Sequence, residues 1–139
     1  MKKYIVMMAC LAAINLSCLA ITVPKEVSDA FAKKFPGATN IKWGKENAKE
    51  YEAEFKLNGK MISANFSADG KWMETEAAIE VSGLPAAAIS TITAKYPGYT
   101  IYGAFKIEKA DEKTRYEAEI KKGSKKTEVI LDTDGTIIK

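Results

Sequence analysis

The chain has 139 residues, with 21 Lys and Arg against 18 Asp and Glu, no histidine and two cysteines. That length supports one domain with a core of its own. The missing histidine removes the usual general base and the commonest metal ligand, and the near-balanced charge argues against nucleic acid as a partner.

Residues 1–20, MKKYIVMMACLAAINLSCLA, read as a secretory signal peptide. Lys2 and Lys3 form a charged start, Tyr4 to Leu16 is apolar without an acid, and Cys18-Leu19-Ala20 carries the small residues a peptidase inspects. The apolar run is too short for a membrane anchor. Lipidation at Cys18 is the competing reading, weakened by Asn15, where such a signal carries an aliphatic residue. Cleavage after Ala20 leaves residues 21–139 as one domain. It removes Cys10 and Cys18, and with them any disulfide, thiol nucleophile or thiolate ligand. Loss of Lys2 and Lys3 takes the positive count from 21 to 19 against 18 acids, a net charge of +1.

The mature chain reads as one unit written twice. VPKEVSDAFAKKFPG (23–37) matches LPAAAISTITAKYPG (84–98) at an offset of 61, and YEAEFKLNGKMISANFSADG (51–70) matches YEAEIKKGSKKTEVILDTDG (116–135) at an offset of 65. The four-residue difference is placed in the loop EKADEKT (108–114). Each unit, about 23–80 and 84–139, opens with a helix. Pro24 and Pro85 stand at the first turn. Val27, Ala30, Phe31 and Phe35 recur at helical spacing, as do Ala88, Ile89, Ile92 and Tyr96. Pro36-Gly37 and Pro97-Gly98 stop them, which predicts helices over about 24–35 and 85–96.

Beyond each helix the apolar period falls to two. Tyr51, Ala53, Phe55 and Leu57 alternate with polar residues, then Ile62, Ala64 and Phe66; Tyr116, Ala118, Ile120 and Thr127, Val129, Leu131 repeat the pattern. Asn58-Gly59, Asp69-Gly70 and Asp134-Gly135 supply hairpin turns. The predicted class is α+β: two tandem repeats of a helix followed by up to four antiparallel strands. The first strands fall at about 39–46 and 99–108, and both helices pack on one sheet face. Either one shared sheet or two lobes satisfies the pattern, the shared sheet being preferred.

The helix ending in FPG or YPG, the IKW strand start (41–43), YEAEF, NGK, and F-x-x-D-G-K-W (66–72) followed by ETE resemble the PepSY-like family of secreted bacterial proteins. Its architecture is similar to that of the beta-lactamase-inhibitor protein. The resemblance covers 23–139 and implies a periplasmic protein without established enzymatic activity. Two departures stand out: KGSK replaces the asparagine-glycine turn, and Thr136-Ile137 replaces Lys71-Trp72.

Candidate sites are few. Glu52 and Glu54, two apart on a strand, share one face at roughly 7 Å, as do Glu117 and Glu119. Alternation places all four on a solvated face, with Lys56 and Lys121 beside them, so a catalytic dyad is not expected. LDTDGT (131–136) lacks the remaining calcium ligands and reads as a turn. No metal or cofactor is expected. Ser and Thr lack a base, and the sequon at Asn65 lies inside a strand. Trp43 reads as core. Trp72, alternating with Glu74 and Glu76, reads either as an anchor on the polar face or as cover for an edge.

Two functional readings follow. In the first, a non-enzymatic periplasmic binding module engages an envelope protein through the open sheet face, using Trp72, Tyr102 and Ile130 within a rim of Glu52, Glu54, Glu117 and Glu119. In the second, a small-ligand carrier or sensor holds an apolar pocket bounded by Phe31, Phe35, Trp43 and Tyr96.

Overall fold

In the computed structural model, residues 21–138 are described; the expected signal peptide, with Cys10 and Cys18, lies outside them. Pro24 adopts φ −57° and ψ 146°, an extended entry that proline favours, and its carbonyl accepts from the amides of Val27 and Ser28 at 3.1 Å. Helix α1 then runs Lys25–Lys34, and α2 repeats the arrangement behind Pro85 over Ala86–Lys95. Each prediction was a residue too long at both ends, because the prolines cap the helices instead of entering them. Phe35 and Tyr96 close the helices with identical φ of −123°, each amide donating to the carbonyl four residues back.

Seven strands follow in chain order: β1 Thr39–Asn47, β2 Glu50–Leu57, β3 Lys60–Ser67, β4 Trp72–Ile79, β5 Thr100–Lys109, β6 Thr114–Lys122 and β7 Lys125–Asp132. A 3-10 turn, Val81–Gly83, precedes α2. The strands form one antiparallel sheet in the order β1-β2-β3-β4-β5-β6-β7, so the shared sheet is the arrangement observed. α1 precedes four strands and α2 precedes three. After Asp134-Gly135 the chain makes only an isolated bridge, Leu131 to Ile137, where the other half has β4.

Register fixes the faces. Ala53 pairs with Ala64, Ile62 with Ala77, Ile79 with Ala104, and Ala104 with Ala118, so these residues lie on one side. Both helices pack there. Val27 and Phe31 of α1 are buried with Tyr51, Ala53, Phe55, Ala64 and Phe66; Ala88 and Ile92 of α2 are buried with Ala104, Ala118, Ile120, Val129 and Leu131. The first cluster is aromatic. Phe31 meets Phe55 at 4.9 Å and Trp43 at 5.2 Å, both edge to face, a geometry that adds to the burial of each ring. The second is aliphatic. Burying each large side chain contributes about 1.5–3 kcal/mol, so packing of both clusters holds the sheet to its helices among the described residues, which contain no cysteine.

Two expectations are corrected here. Phe31, Phe35 and Trp43 fill space against one another in the first cluster, while Tyr96 packs in the second, 5.8 Å from Tyr99. The four do not bound a common pocket. Trp72 is not on the polar face. The β3–β4 register passes from Asn65↔Glu74 to Phe66↔Trp72, so one extra residue enters β4 at Met73 and reverses the alternation. Trp72 therefore lies beside Phe66 and packs against the first cluster. Its Nε1 donates to Thr75 Oγ1 at 2.9 Å, and the Lys34 ammonium stands 3.6 Å from its ring centroid.

Candidate binding face

Neither helix lies over the opposite face of the sheet. Pairing writes three rows across it. The first is Gly44–Glu52–Asn65–Glu74–Lys109 and the second is Lys42–Glu54–Ser63–Glu76–Ile107–Arg115–Asp132. The third is Ala78–Phe105–Glu117–Ile130. Beyond it, Gly103 pairs with Glu119 and Glu119 with Glu128. Tyr102 is the extra residue of a bulge between Ile101 and Gly103 and reaches this end, where Lys121 and Lys126 each stand 5.3 Å from its ring.

Glu52, Glu54, Glu117, Glu119, Ile130 and Tyr102 thus share the open face, and only Trp72 departs from the predicted set. They form two groups. Glu52 and Glu54 lie on β2 and Glu117 and Glu119 on β6, four strand spacings apart, or about 19 Å.

Between and beside them lie apolar residues that are not among the predicted set. Phe105 and Ile107 on β5 and Met61 on β3 face the same way, with Met61 50% exposed and Tyr102 38% exposed. Apolar side chains therefore run through the carboxylates. The signal that points to them is the alternation in TIYGAFKIEK, hidden by the bulge at Tyr102.

The glutamates are also not uniformly solvated. Glu117 is only 2% exposed, a correction to its reading as an outward solvated acid, because Phe105 and Ile130 flank it on both sides. Glu76, beside Ser63 and Ile107 on the central strand, is 7% exposed. Burial, and after it the charges of Glu117, Glu74, Glu52 and Glu128, push its carboxyl up to about 8. Burial likewise raises Glu52, helped by Glu46, Glu54 and Glu74, and raises Glu46, helped by Glu50 and Glu74. Glu74 forms an ion pair with Lys109, and Arg115 Nε lies 3.8 Å from Asp132.

Oxygens of Glu117, Glu119 and Glu128 lie within 4.8 Å of one another. An alanine at Gly103 would strike the Glu119 carboxylate, so the glycine is what lets that group lie over β5. The three carboxylates form a crowded anionic patch at the β6–β7 side of the open face. Asp69-Gly70 and Asp134-Gly135 are hairpin turns, with Thr136 N donating to Asp134 Oδ1 at 2.9 Å. Asn65 of the sequon is buried.

One antiparallel sheet with two helices on one side and a charged open face defines an α+β protein. The chain belongs to the beta-lactamase-inhibitor-like, PepSY-like family, whose profile matches residues 49–139. Solved structures share the fold. A candidate periplasmic protein from Bacteroides eggerthii superposes with a TM-score of 0.76 at 19% identity, covering 86% of this chain and 88% of its own. A DUF2874 family protein from Bacteroides uniformis gives 0.75 at 20% identity, covering 85% and 88%. A BLIP-like protein from Bacteroides fragilis gives 0.69 at 22% identity, covering 86% and 85%. No curated protein matches the chain. No described helix is long and apolar enough to cross a membrane.

Proposed function

We propose that this protein is a non-enzymatic envelope binding module that engages a basic protein through its open sheet face. The proposal treats residues 21–139 as one domain of two repeats, about 23–80 and 84–139, released from a signal peptide over 1–20. The observation that carries it is the mixture on one uncovered face: Met61, Tyr102, Phe105 and Ile130 among Glu52, Glu54, Glu119 and Glu128. Apolar anchors supply interface energy once desolvated, and the carboxylates favour a cationic partner and disfavour an acidic one. Trp72, packed against α1, has no part in it.

A raised carboxyl such as Glu76 is also what a general acid shows. Its causes here, burial and neighbouring like charges, are those of any crowded carboxylate row, and the Ser63 hydroxyl paired opposite it on β3 has no histidine in this chain to activate it. A small-ligand carrier draws less support, because its proposed walls belong to two separate clusters.

Photo-crosslinking from single positions in intact cells tests the proposal. Crosslinkers at Tyr102 and Ile130 should capture the same partner, Lys33 on the exposed side of α1 should not, and Met61→Asp should reduce capture at least about fivefold. Equal capture from Lys33 would sink the assignment to this face.

A further inference from the structure

We infer that docking of a basic partner on the open face is coupled to release of a proton from Glu76. This rests on the reading above and adds the means by which the site is regulated. Glu76 occupies β4, the fourth of seven strands, so any partner spanning the two acidic groups on β2 and β6 must cross it. Acids face it from every side: Glu52 and Glu54 from β2, Glu74 from its own strand, Glu117 from β6 and Glu128 from β7. Basic groups also stand in these rows, and Arg115 shares the row of Glu76 beyond Ile107, its buried Nε without a hydrogen-bond partner. Lys109 pairs with Glu74, Arg115 lies toward Asp132 at the β7 edge, and Lys42 lies beside Glu54 on the β1 edge.

A carboxyl that is 7% exposed among like charges keeps its proton near neutral pH, in keeping with a value of about 8. The neutral acid lowers the repulsion in the row. An ammonium or guanidinium seated over β4 reverses that balance, since it stabilises the ionised form and compensates the flanking carboxylates. The O–H bond of Glu76 breaks, its electron pair stays on the carboxylate, and the proton leaves to solvent. Affinity for a cation then rises with pH up to the value of the free carboxyl and levels off above it.

The probe is a decalysine peptide, whose side chains stay charged across the window used because lysine titrates near ~10.4. Dissociation constants are measured at pH 6 and pH 8.5, at one ionic strength, for the chain from Ile21 onward and for Glu76→Gln. The glutamine matches the neutral acid in shape and cannot lose the proton. Wild type is expected to bind about tenfold or more tighter at pH 8.5, and the variant to change by less than about threefold, the remainder coming from Glu52 and Glu46. Equal pH dependence in the two proteins overturns the coupling and leaves the docking surface standing. Failure of decalysine to bind at either pH overturns the docking surface, and the coupling with it.

Discussion

At the scale of the residue, Trp72 separates what alternation can tell from what it cannot. Counting by twos from Glu74 and Glu76 puts the indole on the acidic face, and the single extra residue at Met73 returns it to the helix face. There it packs on the first cluster, donates to Thr75 and lies under the Lys34 ammonium. Trp72→Ala should therefore lower stability by about 2–3 kcal/mol through lost packing, read as a shifted denaturant midpoint, with decalysine binding at pH 8.5 unchanged. A variant of normal stability that no longer binds decalysine would return the residue to the open face. The same limit explains Glu117. Its outward direction is readable in YEAE, but its burial is made by Phe105 and Ile130, which reach it only through the pairing of β5, β6 and β7. Glu76 is hidden for the same reason, since its local sequence announces Glu74 but not Glu52, Glu117 or Glu128, which come from other strands.

The elements themselves are far more legible, because their ends are written locally. Pro-Gly stops both helices, and Asn58-Gly59 makes its hairpin with φ of +51° and +78°. Sequence does not reveal what the second kind of turn touches. A Cβ on Gly70 would stand 2.6 Å from the carbonyl oxygen of Glu26 at the start of α1, and one on Gly135 would stand 2.6 Å from that of Ala87 at the start of α2. Glu26 and Ala87 are 61 positions apart and the glycines are 65 apart, so both sequence offsets meet in one contact made twice. These glycines are needed for positive φ, +82° and +83°, and also for lack of bulk against backbone that cannot move aside. Gly59 has φ +78° with nothing within 4 Å of its added carbon. Gly59→Ala should cost about 1 kcal/mol, while Gly70→Ala and Gly135→Ala should each cost about 3 kcal/mol or more, measured by urea denaturation. Equal costs at all three would mean that the turns do not bear on the helices.

For the molecule as a whole, the charged face sets how stability varies with pH. Glu76 holds its proton more tightly folded than unfolded, with a carboxyl raised from 4.5 to about 8, and Glu52 and Glu46 are raised as well. Between those values the folded state binds more protons. Its stability is greatest below the ordinary carboxylate value and falls as pH rises toward about 8. The other shifted groups act outside that window. Asp69 and Asp134, lowered by hydrogen bonds from Ser67 and Thr136, matter only as pH falls below about 3.8, and Lys25 and Lys106, raised by Asp29 and Glu108, only above about 10.5. The open face therefore governs the window from pH 5 to 9. Ionising Glu76 in place costs on the order of 4 kcal/mol, which for a domain of this size lowers Tm by about 10 °C or more across that window. In Glu76→Gln most of that slope should disappear, leaving the smaller share due to Glu52 and Glu46. Thermal melts of both proteins at pH 5, 7 and 9 measure it. A wild-type Tm that holds level or rises toward pH 9, or an undiminished slope in the variant, would show that Glu76 is ionised in the folded protein and that the face carries its full negative charge at neutral pH.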